Sequence, residues 1–196
     1  MKNNFSRIFL IITASVIQIV FSGCAYKLSA AVDALPGNVR IIQIPLFKND
    51  SGEVGAETVF TNSLKSEALK SKYVTIRNEE ADAQAILQGR ITGISIVAVE
   101  SVIEAKNTKY LPTETVIATQ YTVSATVNLQ LIRKGSSAVL WSGEFQQATN
   151  YSAPQITLPV INTSNALYNH SAKRQTLDAL SKEMMQAAFD RMVENF

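Results

Sequence analysis

The sequence of 196 residues contains one cysteine, Cys24, and one histidine, His170. A single cysteine cannot form a disulfide within the chain, and it cannot supply the several thiolates of a cysteine metal site. The chain also lacks a glycine-rich phosphate loop, paired histidines at helical spacing and the strand-to-helix turn that presents a nucleophilic serine. We therefore expect no cofactor and no metal ion, and we expect apolar packing to stabilise the fold.

The chain also lacks a charge excess that would favour a nucleic-acid partner. It has 18 basic and 16 acidic residues, and the first 23 residues contain Lys2 and Arg7 but no acidic residue. Residues 24–196 are therefore balanced in formal charge. Their number is sufficient for one domain with its own apolar core.

The apolar segment Ile8–Phe21 is shorter than the roughly 20 residues that a membrane-spanning helix requires. It follows a positively charged start of the chain and precedes two small residues, Ser22 and Gly23. This order is typical of a secretory signal peptide, which we predict over residues 1–23.

The run Phe21-Ser22-Gly23-Cys24 resembles the bacterial lipobox. The resemblance implies acylation of the Cys24 thiol, cleavage before this residue and acylation of the new amino group. Two or three acyl chains anchor a protein firmly, because each buried methylene contributes about 0.8 kcal/mol. Phe21 departs from the usual Leu, Val or Ile, so an ordinary secretory signal with an unrelated cysteine is the alternative. Ala25 after the cysteine permits export to the outer membrane.

Residues 24–38 contain a proline, a glycine and few periodic apolar positions, and we predict that they form a lipidated tether before a single domain over residues 39–196. The domain opens with Val39–Phe47, which is β-branched and apolar on both faces. This composition predicts an interior strand that ends at Pro45. Asn49–Gly52 then predicts a turn cluster that offers N-cap oxygens to a helix.

Small or apolar residues four positions apart predict an amphipathic helix of about four turns. They are Ala56, Phe60, Leu64 and Ala68. Tyr73–Arg77 is a short strand candidate, and Gln84–Glu104 is again strand-like. The apolar residues of this second segment do not keep one parity, which predicts a β-bulge or a change of face near Gly93.

The clearest periodicity lies in Tyr121–Leu131, where apolar and polar residues alternate and predict a strand with one buried face. Arg133–Ser137 predicts a turn, and Ala138–Thr149 predicts a strand paired antiparallel with the preceding one. A long helix is predicted from the cap-like Thr163–Asn165 to about Asn195. Its apolar side comprises Leu177, Leu180, Met184, Ala188, Met192 and Phe196.

The predicted order is a strand, a helix, several strands and a final helix. Short connections between the central strands indicate antiparallel hairpins. The pattern therefore predicts an α+β fold, a two-layer sandwich in which two amphipathic helices pack on one face of a mainly antiparallel sheet.

Two groups of residues invite a catalytic interpretation. Glu79, Glu80 and Asp82 form a carboxylate cluster, but no histidine or further acid lies nearby in sequence to complete a site, so a solvated turn is the better prediction. His170 precedes Ser171, yet neighbours on a helix point about 100° apart and cannot act as base and nucleophile. We predict a surface or capping histidine and a protein that is not an enzyme.

A series of short stretches follows a recognisable order. They are Cys24–Tyr26, Ile44–Asn49, Gly55–Glu57, Ala81–Ala83, Leu87–Ile91, the alternating strand from Tyr121, Leu140–Trp141, Tyr151, and the closing helix with Ala179–Leu180 and Phe196. In order and spacing they resemble the LPS-assembly lipoprotein LptE family, over most of the chain after residue 23. The resemblance implies an outer-membrane lipoprotein, without covalent chemistry of its own, that plugs the LptD β-barrel, helps it assemble and assists lipopolysaccharide transport to the outer leaflet.

Balanced charge and a wet face rich in Thr, Ser, Asn and Gln suit the polar lumen of such a barrel. Lipopolysaccharide phosphates require Lys or Arg, and the predicted ligand residues are Lys106, Lys109, Arg133 and Lys134, with solvated loop charges as the alternative. The expected location is the outer membrane, lipid-anchored and either facing the periplasm or inside the barrel lumen. The alternative function is another periplasm-facing outer-membrane lipoprotein, an accessory factor for barrel assembly, secretion or cell-wall synthesis.

Overall fold

The computed structural model of the protein describes residues 34–79, 82–103, 116–152 and 166–194. These residues contain two helices and six strands. In chain order they are β1 (Ile41–Gln43), β2 (Lys48–Asn49), α1 (Ala56–Lys70), β3 (Thr75–Ile76), β4 (Ala85–Ile103), β5 (Val116–Arg133), β6 (Val139–Ser152) and α2 (Ala166–Glu194).

The six strands form one mixed sheet in the order β3-β1-β4-β5-β6, and β2 also pairs with β4. The long strands β4, β5 and β6 pair antiparallel, whereas the short strands β1, β2 and β3 make parallel pairings. Both helices pack with the apolar side of the sheet into one core. The predicted α+β fold is therefore confirmed, with parallel strands at one edge of a mainly antiparallel sheet.

The strand predicted over Val39–Phe47 is wrong in its extent, because only Ile41–Gln43 of this segment forms a strand, β1, and the next strand, β2, begins after it at Lys48. Residues 44–47 leave the ladder between them. Pro45 has no backbone N–H to donate, and the N–H of Phe47 instead donates to the Thr61 Oγ1 of α1 at 3.0 Å. The segment is interior to the sheet as predicted, since β1 lies between β3 and β4.

The Phe47 side chain lies directly against the backbone of β4 at Gly89. A Cβ atom placed on Gly89 would lie 2.4 Å from the Phe47 Cζ, a distance that side chains do not tolerate. Phe47 is only 3% exposed, so its ring fills the core space that a side chain at position 89 would otherwise need. The glycine is therefore required by a close approach.

Helix α1 buries Ala56, Phe60, Leu64 and Ala68 completely, as its four-residue spacing predicts. The predicted capping is wrong, because the N-cap residue is Gly55 and no side chain caps the helix. The Asn49 carboxamide instead closes the preceding loop: its Nδ2 donates to the Glu53 carbonyl and to the Glu57 carboxylate, each at 2.8 Å.

Helix α2 packs against both α1 and β6. The predicted apolar side is buried at every described position, and three further residues are buried with it: Ser181, Met185 and Phe189. Ser181 donates to the Asp178 carbonyl, so the Ser63 hydroxyl of α1 donates to Ser181 Oγ across the helix interface at 2.8 Å. Burying this hydroxyl pair costs little, because both groups remain hydrogen-bonded. The predicted cap over residues 163–165 and Phe196 lie outside the described residues.

The bulge predicted near Gly93 is confirmed as a register shift between Ile91 and Gly93. Before the shift, Leu87 and Ile91 are fully buried. After it, Ile94 and Ile96 face the core side while Val97 is 56% exposed. The extra residue thus exchanges the two faces of the strand, as the parity change in the sequence predicts.

The alternation predicted for the next strand is also confirmed. Five alternate residues of β5 are buried: Val123, Ala125, Val127, Leu129 and Leu131. The connection to β6 is a tight turn at residues 134–136, where Gly135 adopts a φ of 87°. At the start of the described chain, Leu35 is already fully buried and pairs with Val39 in an isolated bridge, within the last residues of the predicted tether.

Gly89→Ala is expected to destabilise the protein by about 1–3 kcal/mol, because the new methyl group must displace the Phe47 ring from a packed core. Gly93→Ala is the matched control in the same strand. Its Cβ would meet no atom within 4 Å, so the expected change is within about 0.5 kcal/mol. Urea unfolding followed by circular dichroism measures both. Equal stability of the two variants would contradict the assigned contact.

Candidate functional site

One side of the sheet faces away from both helices, and we call it the outer face. Residues directly opposite one another in antiparallel strands share a face, and the β5 residues between the buried positions are paired with exposed β6 residues. The outer face of these two strands is polar. It comprises Thr122, Ser124, Thr126, Asn128 and Gln130 of β5 with Ser142, Glu144, Gln146 and Asn150 of β6. The predicted wet face is therefore confirmed.

The outer face contains a concavity of about 680 Å³. Its polar lining consists of Lys48, Gln88, Arg90, Asn128, Gln130, Ser142 and Glu144. Lys48 and Arg90 are brought together by the parallel register of β2 and β4, in which they are direct partners. The floor of the concavity includes Gly89 and Gly143.

Asp50 links the two cations beside the concavity. Its Oδ2 accepts a hydrogen bond from Arg90 Nη1 at 2.9 Å, and its Oδ1 lies 3.9 Å from Lys48 Nζ. All three side chains are at least 36% exposed, so these pairs contribute little to stability. With Glu144 on the opposite wall, positive and negative groups are equal in number. The surface can exchange hydrogen bonds with hydroxyl, amide or phosphate groups, and it has no strong preference for either charge.

The two described ligand candidates lie in and beside the turn between β5 and β6. Arg133 Nη2 donates to the Gly37 carbonyl at 2.7 Å, and the Lys134 backbone N–H donates to the Gln84 carbonyl at 3.0 Å. Arg133 therefore holds the turn at residues 36–38 against the end of β5. Both residues are exposed. Lys106, Lys109 and the lipidation candidate Cys24 lie outside the described residues.

A second polar network joins α2 to the loop before α1. Lys173 Nζ contacts both carboxylate oxygens of Glu53, at 2.8 and 3.0 Å, and each side chain is 23% exposed. The backbone N–H of Glu57 and then the Asn49 carboxamide lower the pKa of the Glu57 carboxyl, because both donate to its ionised form. The network fixes the loop between β2 and α1.

Two stacked tyrosines lie on the core side, one near the start of β5 and the other near the end of β6. The rings of Tyr121 and Tyr151 are 5.3 Å apart and nearly parallel. Burial raises the pKa of the Tyr151 phenol, and the negative charge that Tyr121 and Glu53 can carry raises it further. The phenol is therefore held neutral, as is usual for a buried structural tyrosine.

The catalytic candidates remain separate surface groups. Glu79 and Asp82 are exposed, Glu80 lies outside the described residues, and His170 and Ser171 are both exposed on α2. Within the described ranges no three His, Cys, Asp or Glu side chains are placed to hold a metal ion. Over the same ranges, neither helix is both long and apolar enough to traverse a bilayer.

Lys48 and Arg90 are the site residues that sequence reasoning missed. Each immediately follows a residue of the Phe47–Gly89 contact, and each lies within a stretch that carries the family resemblance. Their proximity depends on a parallel register between segments 42 positions apart in the chain. Local periodicity does not indicate which distant residues are paired. Only the stretches shared with the family could therefore have indicated Lys48 and Arg90.

A model of the family described as "LptE: Lipopolysaccharide-assembly" matches residues 39–196. No curated relative matches the sequence. Among solved structures, a candidate lipoprotein from Caulobacter crescentus is similar at 9% identity and a TM-score of 0.46, covering 76% of this chain and 88% of that one. A candidate neuraminyllactose-binding hemagglutinin homologue from Helicobacter pylori has 13% identity, a TM-score of 0.45 and coverages of 82% and 84%. A minor lipoprotein from Acinetobacter baumannii has 9% identity, a TM-score of 0.40 and coverages of 80% and 92%.

Tyr151→Phe is expected to reduce the loss of stability at alkaline pH. Because the folded-state pKa of Tyr151 lies above its unfolded value, folding stability is constant below about pH 10 and falls as the pH rises through the folded pKa. Phenylalanine removes this proton linkage. Urea unfolding from pH 8 to pH 11 measures it, with Tyr73→Phe as the control on a more exposed tyrosine. An identical pH dependence for wild type and Tyr151→Phe would contradict the linkage.

Proposed function

Because the chain belongs to the LptE family of lipopolysaccharide-assembly proteins, which is shown by the match over residues 39–196, we propose that it is an outer-membrane lipoprotein that plugs an LptD-type β-barrel. In this role it helps the barrel assemble and assists the transport of lipopolysaccharide to the outer leaflet. The role consists of binding and scaffolding, and it requires no covalent chemistry.

The single observation that carries the proposal beyond family membership is the polar outer face of the sheet. The lumen of a large outer-membrane barrel is polar and water-filled, so a plug must present hydroxyl, amide and balanced charged groups to it. The outer face has this composition from Thr122 to Gln130 on β5 and from Ser142 to Asn150 on β6. The paired charges of Asp50 and Arg90 add groups of both signs beside it.

We further propose that Cys24 carries the lipid anchor, with residues 1–23 removed as the signal peptide and residues 24–38 as the tether. The lipobox-like run that ends at Cys24 supports this assignment. A diacyl or triacyl group would hold the protein at the membrane independently of the barrel. The intact mass of the membrane-extracted protein tests both the cleavage and the acylation. An unmodified amino terminus or an uncleaved signal would contradict the assignment.

Detergent extraction and affinity capture of the tagged full-length protein are expected to recover one large β-barrel protein that resists separation. Depletion of the protein in its host is expected to lower the amount of lipopolysaccharide at the cell surface. Both results follow if the barrel needs its plug for assembly and transport. Mass spectrometry of the captured material and surface labelling of lipopolysaccharide measure the two outcomes.

A Cys24→Ala variant is the control for capture through shared membrane fragments, because a direct plug contact does not depend on the lipid. Recovery of peptidoglycan synthases or a secretion ring in place of the barrel would support the alternative class, an accessory lipoprotein for cell-wall synthesis or secretion. Recovery of other barrel-assembly components without a dedicated barrel would support the assembly alternative.

The proposed lipopolysaccharide ligands are Lys106, Lys109, Arg133 and Lys134. Phosphate groups are bound by cations that can donate several hydrogen bonds. The contact of Arg133 with the Gly37 carbonyl makes Arg133 unsuitable as a test position, because its replacement would also disturb the turn at residues 36–38. The two lysines of the loop before β5 provide the cleaner test.

Reversal of both loop charges, Lys106→Glu with Lys109→Glu, is expected to weaken binding to purified lipopolysaccharide by at least about tenfold. This corresponds to the loss of one charge-assisted hydrogen bond of roughly 1.5 kcal/mol or more. The matched control reverses two other exposed lysines, Lys72, which follows α1, and Lys182, which lies on α2. Equal binding by both double variants would remove Lys106 and Lys109 from the proposal.

A further inference from the structure

The edge of β4 that faces away from β5 is paired along only part of its length. Strand β1 pairs with it at Ala85 and Ile86, and β2 pairs with it at Arg90 and Ile91. The chain then turns away at residues 50–52. From Gly93 to the end of β4, no strand among the described residues pairs with this edge.

The direction of the backbone groups on this open edge follows from the observed register. The Ile91 carbonyl accepts from the Asp50 N–H, so Ile91 faces β2 rather than β5. The backbone N–H and C=O groups of Val127, the β5 partner of Ile91, therefore point toward β6. Those of the adjacent residue, Thr126, point toward β4. Gly93 pairs with Thr126, so Gly93 also faces β5. Strict alternation beyond the bulge then directs the N–H and C=O groups of Ile94, Ile96 and Ala98 out of the sheet.

The side chains beside this open edge are uncharged and mostly apolar. The sequence from Ile91 to Val99 contains no charged residue and no proline. Val97 and Val99 are 56% and 53% exposed. Natural sheets protect such edges with charges, prolines or a covering segment, because an unpaired, flat, apolar edge otherwise pairs with another strand. The register irregularity from Ala98 to Ser101 limits the length of regular edge.

We propose that the edge of β4 from Ile94 to Ala98 receives an extended, uncharged segment of the β-barrel partner, which adds to the sheet as a further strand. The identity of the partner rests on the proposed function. The added segment continues the line of β1 and β2 beside β4 and spans about five to seven residues, or roughly 20 Å at the rise of a strand. Main-chain hydrogen bonds provide the affinity, and the flanking valines select an apolar or β-branched sequence.

The barrel partner is the occupant that the neighbouring surface favours. The open edge borders the outer face, whose hydroxyl and amide groups suit a polar lumen. A domain seated with that face toward the barrel wall places the edge within reach of segments that line the lumen. Because the edge carries no charged side chain, pairing with an uncharged strand buries no unpaired charge.

Amide hydrogen exchange at single-residue resolution tests the proposal directly. The full-length protein is compared alone in detergent and in its complex with the captured barrel. The amides of Ile94, Ile96 and Ala98 are expected to exchange rapidly in the isolated protein and at least about tenfold more slowly in the complex, because a laddered N–H exchanges only when the structure opens. The amides of Ser95 and Val97, which face β5, are the internal control and are expected to be protected in both samples.

A pair of variants at one position separates the backbone contact from side-chain contact. Ala98→Pro removes an outward N–H, a change that edge strands tolerate, and it is expected to lower barrel recovery several-fold. Ala98→Ser retains the N–H at the same exposed position and is expected to leave recovery unchanged. Thermal unfolding of both isolated variants reports whether the domain remains folded.

Three results would overturn the inference while leaving the proposed function intact. They are protection of the edge amides already present in the isolated protein, unchanged exchange of these amides in a complex that does contain the barrel, and equal recovery with both Ala98 variants. Protection that increases with the concentration of the isolated protein would assign the edge to a second copy of this chain. Failure to recover any barrel with the wild-type protein would overturn the proposed function, and the partner named here with it.

Discussion

The contact between the Phe47 ring and the Gly89 backbone determines how the first third of the domain is arranged. Because the ring occupies the core directly above β4, the chain around Phe47 cannot continue as a regular strand. The Phe47 N–H instead donates a hydrogen bond to Thr61 Oγ1 of α1. This bond ties the helix to the sheet at the point where the ladder is interrupted. The resumed strand β2 then places Lys48 beside Arg90, and after the following turn no strand within the described ranges pairs with the rest of the β4 edge.

Features with a local period were predictable from the sequence. The four-residue spacing in α1, the alternation in β5 and the parity change at Gly93 each depend on which side of one element faces the core, and a single segment reports this. Features that depend on contacts between distant segments were not predictable. The interruption between β1 and β2, where Phe47 packs on Gly89, involves two residues that are 42 positions apart in the chain. The pair of Glu53 with Lys173 likewise depends on α2 being packed against the loop before α1.

The apolar core side and the polar outer face of the same strands contribute differently to folding. Stability comes from the core side, where α1 packs against β2, β3 and β4, α2 packs against β5 and β6, and Tyr121 stacks on Tyr151. The outer face contributes little to folding, since its charges are exposed and paired only loosely. It is therefore available for binding. Among the candidate lipopolysaccharide ligands, Arg133 differs in that its side chain donates to the Gly37 carbonyl and so has a structural role.

The bulge at Ile91 and Gly93 also separates two parts of β4 that differ in how tightly their side chains are packed. Before the bulge, each inward side chain is enclosed by the core, and most replacements there carry a folding penalty. Beyond it, residues such as Ser95, Val97 and Val99 face outward at little cost to folding. Substitutions at these outward positions can therefore change the chemistry of the exposed strand surface while the packed core, and with it the fold, is retained.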